Sequence, residues 1–406
     1  MSFGSDFVKR DVIIVAVVIA CAVGDAASAA PPKKAANRKQ VGAGGESAEV
    51  RLVRVPDRGI QPQVAVDSDG NLHLVYLADE PDAANVYYVR RATGSESFSK
   101  PLRVNSQPGA AIAIGSIRGA QLTIGKGNRP HVVWNGGAKA QPKINVKYAS
   151  PLLYTRLADD GAAFEPERNV AREAFLLDGG GSVAADREGN VFVIWHSGDG
   201  EENRRVWIAR SSDDGATFAP EEPIDANRNG VCGCCGLKAF ADREGSVYVL
   251  YRAAREKVNR DIMLLTSTDG GKTFRSELAG KWTVAMCPMS SESFLDGSGA
   301  VTAAWETDGQ VFFSQIDKKS HLLSKPITPP SAPGGRKHPA LAANERGETI
   351  LVWAEGTGWQ KGGSLAWQIF DGKGKPTRVR GRAEGIPVWS FPAVYTEADD
   401  SFTIVY

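Results

Sequence analysis

Charge of a single sign is the first thing this sequence lacks. Its 406 residues carry 48 Lys and Arg against 47 Asp and Glu, a formal net charge of +1. That balance supplies no cationic field for nucleic acid or an anionic membrane surface, so neither is expected as a partner. A long apolar run is missing as well: Val12 to Val23 falls short of the roughly 20 residues needed to cross a bilayer. Histidine (5), cysteine (5) and methionine (4) are scarce, so any thiol or metal chemistry must sit where these few residues cluster. What is abundant is the material of a core. Hydrophobic residues make up 42% and charged residues 23%, the proportions of a soluble globular chain and not of a disordered one.

The apolar run reads as an export signal. Lys9 and Arg10 precede it, and Ala27-Ser28-Ala29 gives a small-residue cleavage pattern, so residues 1–29 form a signal peptide. Val18-Ile19-Ala20-Cys21 offers a second processing site, a bacterial lipobox in which Cys21 would be acylated. The only membrane contact expected is such an anchor. Residues 30–48, rich in Ala, Lys, Gly and Pro, read as a flexible tether. Residues 49–406 then form one domain, and the protein is secreted, periplasmic or held at the envelope.

One pattern recurs along that domain: Gly, then alternating apolar positions, then an aromatic residue, with the two-residue period of a strand. The copies end at Tyr76, Trp134, Trp195, Tyr251, Trp305, Trp353 and Tyr406, separated by 58, 61, 56, 54, 48 and 53 residues. Repeats of that length mean a propeller or a solenoid. Each copy follows another apolar run and a turn, as in Ser182 to Gly189, and precedes two further strand-like runs, as in Val206 and Phe218. Four strands, A to D, make one blade of an all-β propeller built from antiparallel blades. Seven blades are favoured over six. The chain stops at the end of a B strand, and Glu49 to Pro56 reads as an outer D strand, so the two termini are expected to close the ring in one composite blade.

Between strands C and D two units carry the same turn. Ser211, Asp213, Gly215, Thr217 and Phe218 form one copy of S-x-D-x-G-x-T-F; Ser267, Asp269, Gly271, Thr273 and Phe274 form the other. Leu157 to Phe164 is a worn third. This turn resembles the Asp box (BNR repeat) of the sialidase-like superfamily, and the resemblance covers about Glu49 to Tyr406. The box itself is a fold device: Asp accepts turn amides, Gly takes an angle other residues avoid, and the aromatic fills the gap between blades.

The resemblance implies a site on the face opposite the boxes, reached by the B-to-C and D-to-A loops. It also implies three arginines clasping a substrate carboxylate, a tyrosine nucleophile aided by a glutamate, and an aspartate acid/base, an exception among glycosidases. On that face lie Asp79, Asn135, His196, Arg252, Glu306 and Glu355 at the ends of B strands, with Arg118, Arg255 and Arg260 nearby. Arg118, Arg252 and Arg260 are the candidate carboxylate binders; Glu306 or Glu355 would support the chemistry. Tyr395 is the late tyrosine available as nucleophile. The family's Phe/Tyr-Arg-Ile-Pro signature is absent; Arg58 to Pro62 only echoes it.

Two functions follow. The first is an exported propeller that binds a glycan or a cell-surface protein, with Trp195, Trp359 and Trp389 as contact platforms beside Asn135, His196 and His338. The second is an exo-sialidase-type glycoside hydrolase acting on a terminal acidic sugar. Neither requires a cofactor. Cys232, Cys234 and Cys235 lie in one D-to-A loop and Cys287 in the next, which in an exported chain reads as two disulfides. The other reading is a soft-metal site, copper or zinc, with Met286, Met289 and His338 at hand. Asp225 to Gly230 resembles the start of a calcium loop, but Gly236 stands where a bidentate Glu is required.

Overall fold

The computed structural model describes residues 48–147, 149–224, 230–330 and 334–406. The export signal, Cys21, most of the tether and the Asp225 to Asn229 stretch lie outside the described residues. Ala48, read above as tether, is already packed in the core. None of the described helices is long and apolar enough to cross a membrane.

The apolar repeats fold as seven sheets. Blade 1 comprises Ile60–Val66, Leu72–Ala78, Asn85–Arg91 and Leu102–Arg103; blade 2, Gln121–Ile124, Pro130–Asn135, Leu152–Arg156 and Arg168–Asn169. Blade 3 is Gly181–Ala185, Val191–Ser197, Arg205–Ser211 and Glu222–Pro223; blade 4, Leu237–Ala241, Val247–Arg252, Ile262–Ser267 and Arg275–Gly280. Blade 5 is Ser293–Asp296, Ala300–Thr307 and Gln310–Asp317; blade 6, Arg336–Ala343, Thr349–Glu355, Gly363–Phe370 and Pro376–Ile386. Blade 7 joins Ala393–Thr396 and Phe402–Val405 to Val50–Val53 from the other end of the domain.

Strand B explains why the repeat was so visible. Each B strand is sandwiched between neighbouring blades, so both of its faces are buried, and Val191–Ser197 is buried at every position. The clusters that result lie between consecutive blades: Val75 and Val86 of blade 1 with Val132 and Trp134 of blade 2, and Val352 of blade 6 with Phe402 of blade 7. Closure comes where Tyr395 and Val405 of blade 7 pack on Leu72 and Tyr76 of blade 1.

Two details of the expected architecture are corrected. The N-terminal strand is not a D strand. Val50–Val53 pairs directly and in parallel with Phe402–Val405, occupying the C position. The incoming strand satisfies the outer edge of the B strand, which would otherwise carry unpaired backbone groups. Phe402 N–H donates to Glu49 O at 2.8 Å and Val55 N–H to Tyr406 O at 3.1 Å. Blade 5 also lacks a regular D strand; two isolated bridges, Phe313 to Ile327 and Ile316 to Leu323, hold that segment.

The two Asp boxes are near copies of each other. Ser211 Oγ donates to Asp213 Oδ1 (2.7 Å), Gly215 N–H to Ser211 Oγ (2.9 Å), and Thr217 N–H and Oγ1 to the two Asp213 oxygens (2.9 and 2.6 Å). Ser267, Asp269, Gly271 and Thr273 repeat those distances. Hydrogen bonds from Thr217 hold the Asp213 carboxyl down at about 2, and those from Thr273 lower Asp269 as well. Phe218 meets Tyr154 of blade 2 edge-on at 4.8 Å, and Phe164 of the worn copy meets Tyr88 of blade 1 at 5.4 Å. The aromatic of the box thus fills the gap between blades.

Candidate functional site

Strands alternate in direction within a blade, so the D-to-A and B-to-C loops share one mouth of the ring. A cavity of about 240 Å³ opens there. The D-to-A loops supply Arg118, Asp178, Cys234, Met289 and Trp389; blade 6 supplies Lys337 and His338 from its A strand and Trp359 and Lys361 from its B-to-C loop. Of the residues singled out in the sequence, Arg118, Cys234, Met289, His338, Trp359 and Trp389 are therefore brought together.

Trp359 is 53% exposed, and its ring lies 6.0 Å from that of Trp389 at an angle of 59°. The Trp389 indole N–H is buried and has no partner within the protein. Arg118 donates from Nε to Asp178 O (2.6 Å) and from Nη2 to Asp178 Oδ1 (2.9 Å). His338 sits where a bulge shifts the register of the A strand, with φ of 53°; such bulges re-aim side chains. Its Nδ1 lies 2.9 Å from Ser291 Oγ, its ring stacks on Phe391 at 5.3 Å, and burial, reinforced by Lys337, pushes it down to about 3.

Beside the cavity lies a buried charged layer. Arg252 and Glu306 form an ion pair at 2.9 Å with both side chains almost fully enclosed. Arg252 also donates from Nη1 to Arg260 O (2.9 Å) and lies 5.2 Å from the Trp282 ring centre. Burial outweighs the attraction of Arg252 and lifts Glu306 to about 7. Arg260 pairs with Glu201 at 2.9 Å. Glu292, buried near Arg252 and Cys235, has neither oxygen hydrogen-bonded, and burial raises it well above the ordinary carboxylate range.

The cysteine loop runs over these groups. Cys232 N–H donates to Arg252 O (2.9 Å), Gly236 N–H to Ser290 O (2.9 Å), and His196 Nε2 lies 3.1 Å from Cys235 O. Enclosure lowers His196 to about 4. Cys232, Cys234 and Cys235 gather their sulfurs within 4.8 Å of one another. All four cysteines of the pair of loops are free thiols, and Cys287 is exposed, outside that group. The two-disulfide arrangement is therefore not the one this structure adopts.

The other candidates sit elsewhere. Trp195 is fully buried and donates its indole N–H to Ala174 O at 2.8 Å, so it is core and not a contact platform. Asn135 is buried and donates to Gly179 O (2.8 Å). Glu355 accepts from Trp353 Nε1 (2.8 Å) and pairs with Arg336 and Arg382. Arg252, Arg260 and Glu306 are committed to ion pairs below the mouth, so the three chosen arginines do not converge on one open point. Tyr395 donates to Glu397 at the A-to-B turn of blade 7, toward the box side of the ring. Among the described residues no tyrosine lines the cavity, and neither does Arg58.

Sequence reading missed Asp178, Arg204, Glu292, Lys337 and Lys361. A buried lysine was missed too: Lys238 donates to Gln63 Oε1 (3.2 Å) and Gln121 Oε1 (2.8 Å), joining A strands of blades 4, 1 and 2, and burial lowers it to about 8. The usable signal for Asp178, Glu292, Lys337 and Lys238 was polar residues on or just before A strands, where the strands crowd the axis; Arg204 and Lys361 lie instead in B-to-C loops.

The sequence matches no protein-family model and no curated protein sequence. Its fold does have solved counterparts. A protein of unknown function from Dyadobacter fermentans superposes with a TM-score of 0.51 over 84% of this chain and 98% of that one, at 14% identity. The NanB sialidase of Streptococcus pneumoniae gives 0.50 over 82% and 70%, at 10% identity. An α-L-arabinanase of Penicillium chrysogenum gives 0.50 over 79% and 95%, at 13% identity. The chain has the seven-bladed, sialidase-like propeller fold.

Proposed function

We propose that this is an exported carbohydrate-binding propeller whose mouth cavity takes a sugar unit carrying an acidic group. The observation that carries the reading is the Trp359 and Trp389 pair, 6.0 Å apart, one ring exposed and the other with a free indole N–H. Aromatic faces suit the apolar faces of a sugar ring, and an unpartnered buried donor suits one of its oxygens. Lys337, Lys361 and Arg118 face the same space against one acid, Asp178, which favours an anionic ligand. Two propellers of this fold bear on sugars by their names: a sialidase, and an arabinanase solved with arabinobiose. The export signal at Lys9 to Ala29 supports an extracytoplasmic setting for such a ligand.

Calorimetry of the purified domain against acidic and neutral oligosaccharides tests this. Binding of an acidic member should weaken about tenfold or more in Trp359→Ala, the scale of one lost aromatic contact. Binding that ignores Trp359→Ala, or none across the panel, would overturn it. Turnover of a fluorogenic sialoside would replace it with the hydrolase reading.

A further inference from the structure

We propose that Cys232, Cys234 and Cys235 form a binding site for monovalent copper, with three sulfur ligands and a ring of buried guanidinium groups that neutralises the thiolates. The three sulfurs all lie within 4.8 Å of one another, and Cys232 Sγ is 3.3 Å from Cys234 Sγ. An ion held about 2.3 Å from each of three sulfurs requires sulfur separations of about 4 Å. The loop holds the sulfurs close to that spacing, with the Cys232–Cys234 pair nearer at 3.3 Å, and even this pair is wider than a sulfur–sulfur bond of about 2.05 Å.

The second observation is independent of the thiols. Arg204, Arg252 and Arg260 are 7%, 1% and 5% exposed, yet Arg204 Nε, Arg252 Nε, and Arg260 Nε and Nη1 have no hydrogen-bond partner. Buried guanidinium N–H groups left unpaired are costly. Their surroundings explain them: Arg252 lies in the field of Cys235 and Cys232, and Arg260 in that of Cys232 and Cys234. Arg204 reaches the backbone of the loop, donating from Nη1 to Val231 O at 3.3 Å. Three thiolates and one monovalent cation carry a net charge of −2, set against three arginines of which two, Arg252 and Arg260, also pair with Glu306 and Glu201, each at 2.9 Å. The thiolates would face the N–H groups that those carboxylates leave unpaired.

The donor set selects the metal. Thiolates favour copper(I), zinc and iron–sulfur clusters. Zinc in a structural site takes four ligands, whereas among the described residues only three thiols converge, with Cys287 outside the group. Three-coordinate sulfur suits monovalent copper. Cys234 and the thioether of Met289 both reach the mouth cavity, so the ion would be exchangeable with solutes there. Binding displaces one proton from each thiol and leaves the copper oxidation state unchanged.

The test uses whole, thiol-intact protein handled without oxygen and titrated with copper(I) against a chromophoric copper(I) chelator. One copper per chain should be retained, with an X-ray absorption spectrum showing sulfur neighbours only. Cys234→Ser should weaken retention by more than the roughly 100-fold that loss of an outer partner costs; Arg260→Met should weaken it about 10- to 100-fold. Cys287→Ser should retain copper like the parent. Equal retention by Cys234→Ser, oxygen or nitrogen neighbours in the spectrum, preference for zinc, or cysteines oxidised in pairs without metal would each overturn the site. If Cys234→Ser loses its native circular dichroism, the parent spectrum and Arg260→Met decide alone.

Discussion

The two Asp boxes and the cysteine loop lie on opposite faces of one ring and handle polarity in opposite ways. In each box both carboxylate oxygens accept from groups two to four residues away, and the motif is complete within eight residues. In the layer beneath the cysteine loop, arginine donors, both Glu292 oxygens and His196 Nδ1 are buried without partners. A polar group that closes on itself serves the fold. Buried groups that do not close are the ones a native protein keeps for a ligand, an ion or a reaction. The contrast gives the boxes a structural role and is the ground for proposing the opposite mouth as the place of function.

The most damaging expected change tests the charged layer. Arg252→Ala leaves Glu306 buried and alone, and should cost about 3–5 kcal/mol in urea unfolding at neutral pH. The paired replacement Arg252→Met with Glu306→Leu should recover most of that, since apolar residues of similar volume often replace buried ion pairs without loss. A double variant as unstable as the single one would mean that the pair holds the fold, which would break the contrast.

Next comes the box. Gly215 has φ of +78°, and an added Cβ would lie 1.8 Å from the Tyr154 hydroxyl of blade 2. Gly215→Ala should therefore cost about 3 kcal/mol or more, strain and clash together. Gly245 shares the positive φ, at +85°, but has nothing within 4 Å; Gly245→Ala should cost about 1 kcal/mol. Equal losses would show that the box acts only within its own turn and does not seat one blade on the next. A smaller effect still is expected of Asp213→Ala. The Asp213 side chain is exposed, and losing its bonds should cost about 1 kcal/mol, with no effect on copper or sugar binding.

What the sequence revealed divides along the same line. The boxes and the closing aromatics were legible because their causes are local: a turn needs its Asp and Gly at fixed offsets, and a strand buried on both faces needs an unbroken apolar run. The polar mouth was legible only as a direction. The ends of B strands pointed to Arg252, Glu306 and Trp195, but whether a neighbouring loop closes over such a residue depends on contacts 21 residues away for Trp195 and 54 for Arg252. Arg252 reaches Glu306 in the next blade, and Trp195 is covered by Ala174. The parallel closing strand was hidden for the same reason, because Val50–Val53 is paired by residues at the far end of the chain.

The finest difference between the faces is in how they hold histidine. On the box side, His73 Nε2 lies 3.0 Å from Asp67, and the carboxylate partly offsets the burial that lowers its pKa. At the mouth, His338 has no acid beside it; Ser291 and Phe391 enclose it, Lys337 adds to the depression, and only the field of Cys235 opposes it. A histidine depressed to about 3 when folded stays neutral, whereas the unfolded chain begins to bind its proton near 6.5. Stability from this group is thus complete above 6.5 and is lost as pH falls. Between pH 7 and 6 the loss attributable to His338 should be about 0.7 kcal/mol. Urea unfolding at those two pH values measures it as the parent minus His338→Gln. His73→Gln should remove less of the pH dependence, because Asp67 holds part of the proton affinity in the folded state. If the two variants flatten the profile equally, the mouth is no less self-satisfied than the box face, and the distinction between the faces fails at its weakest point.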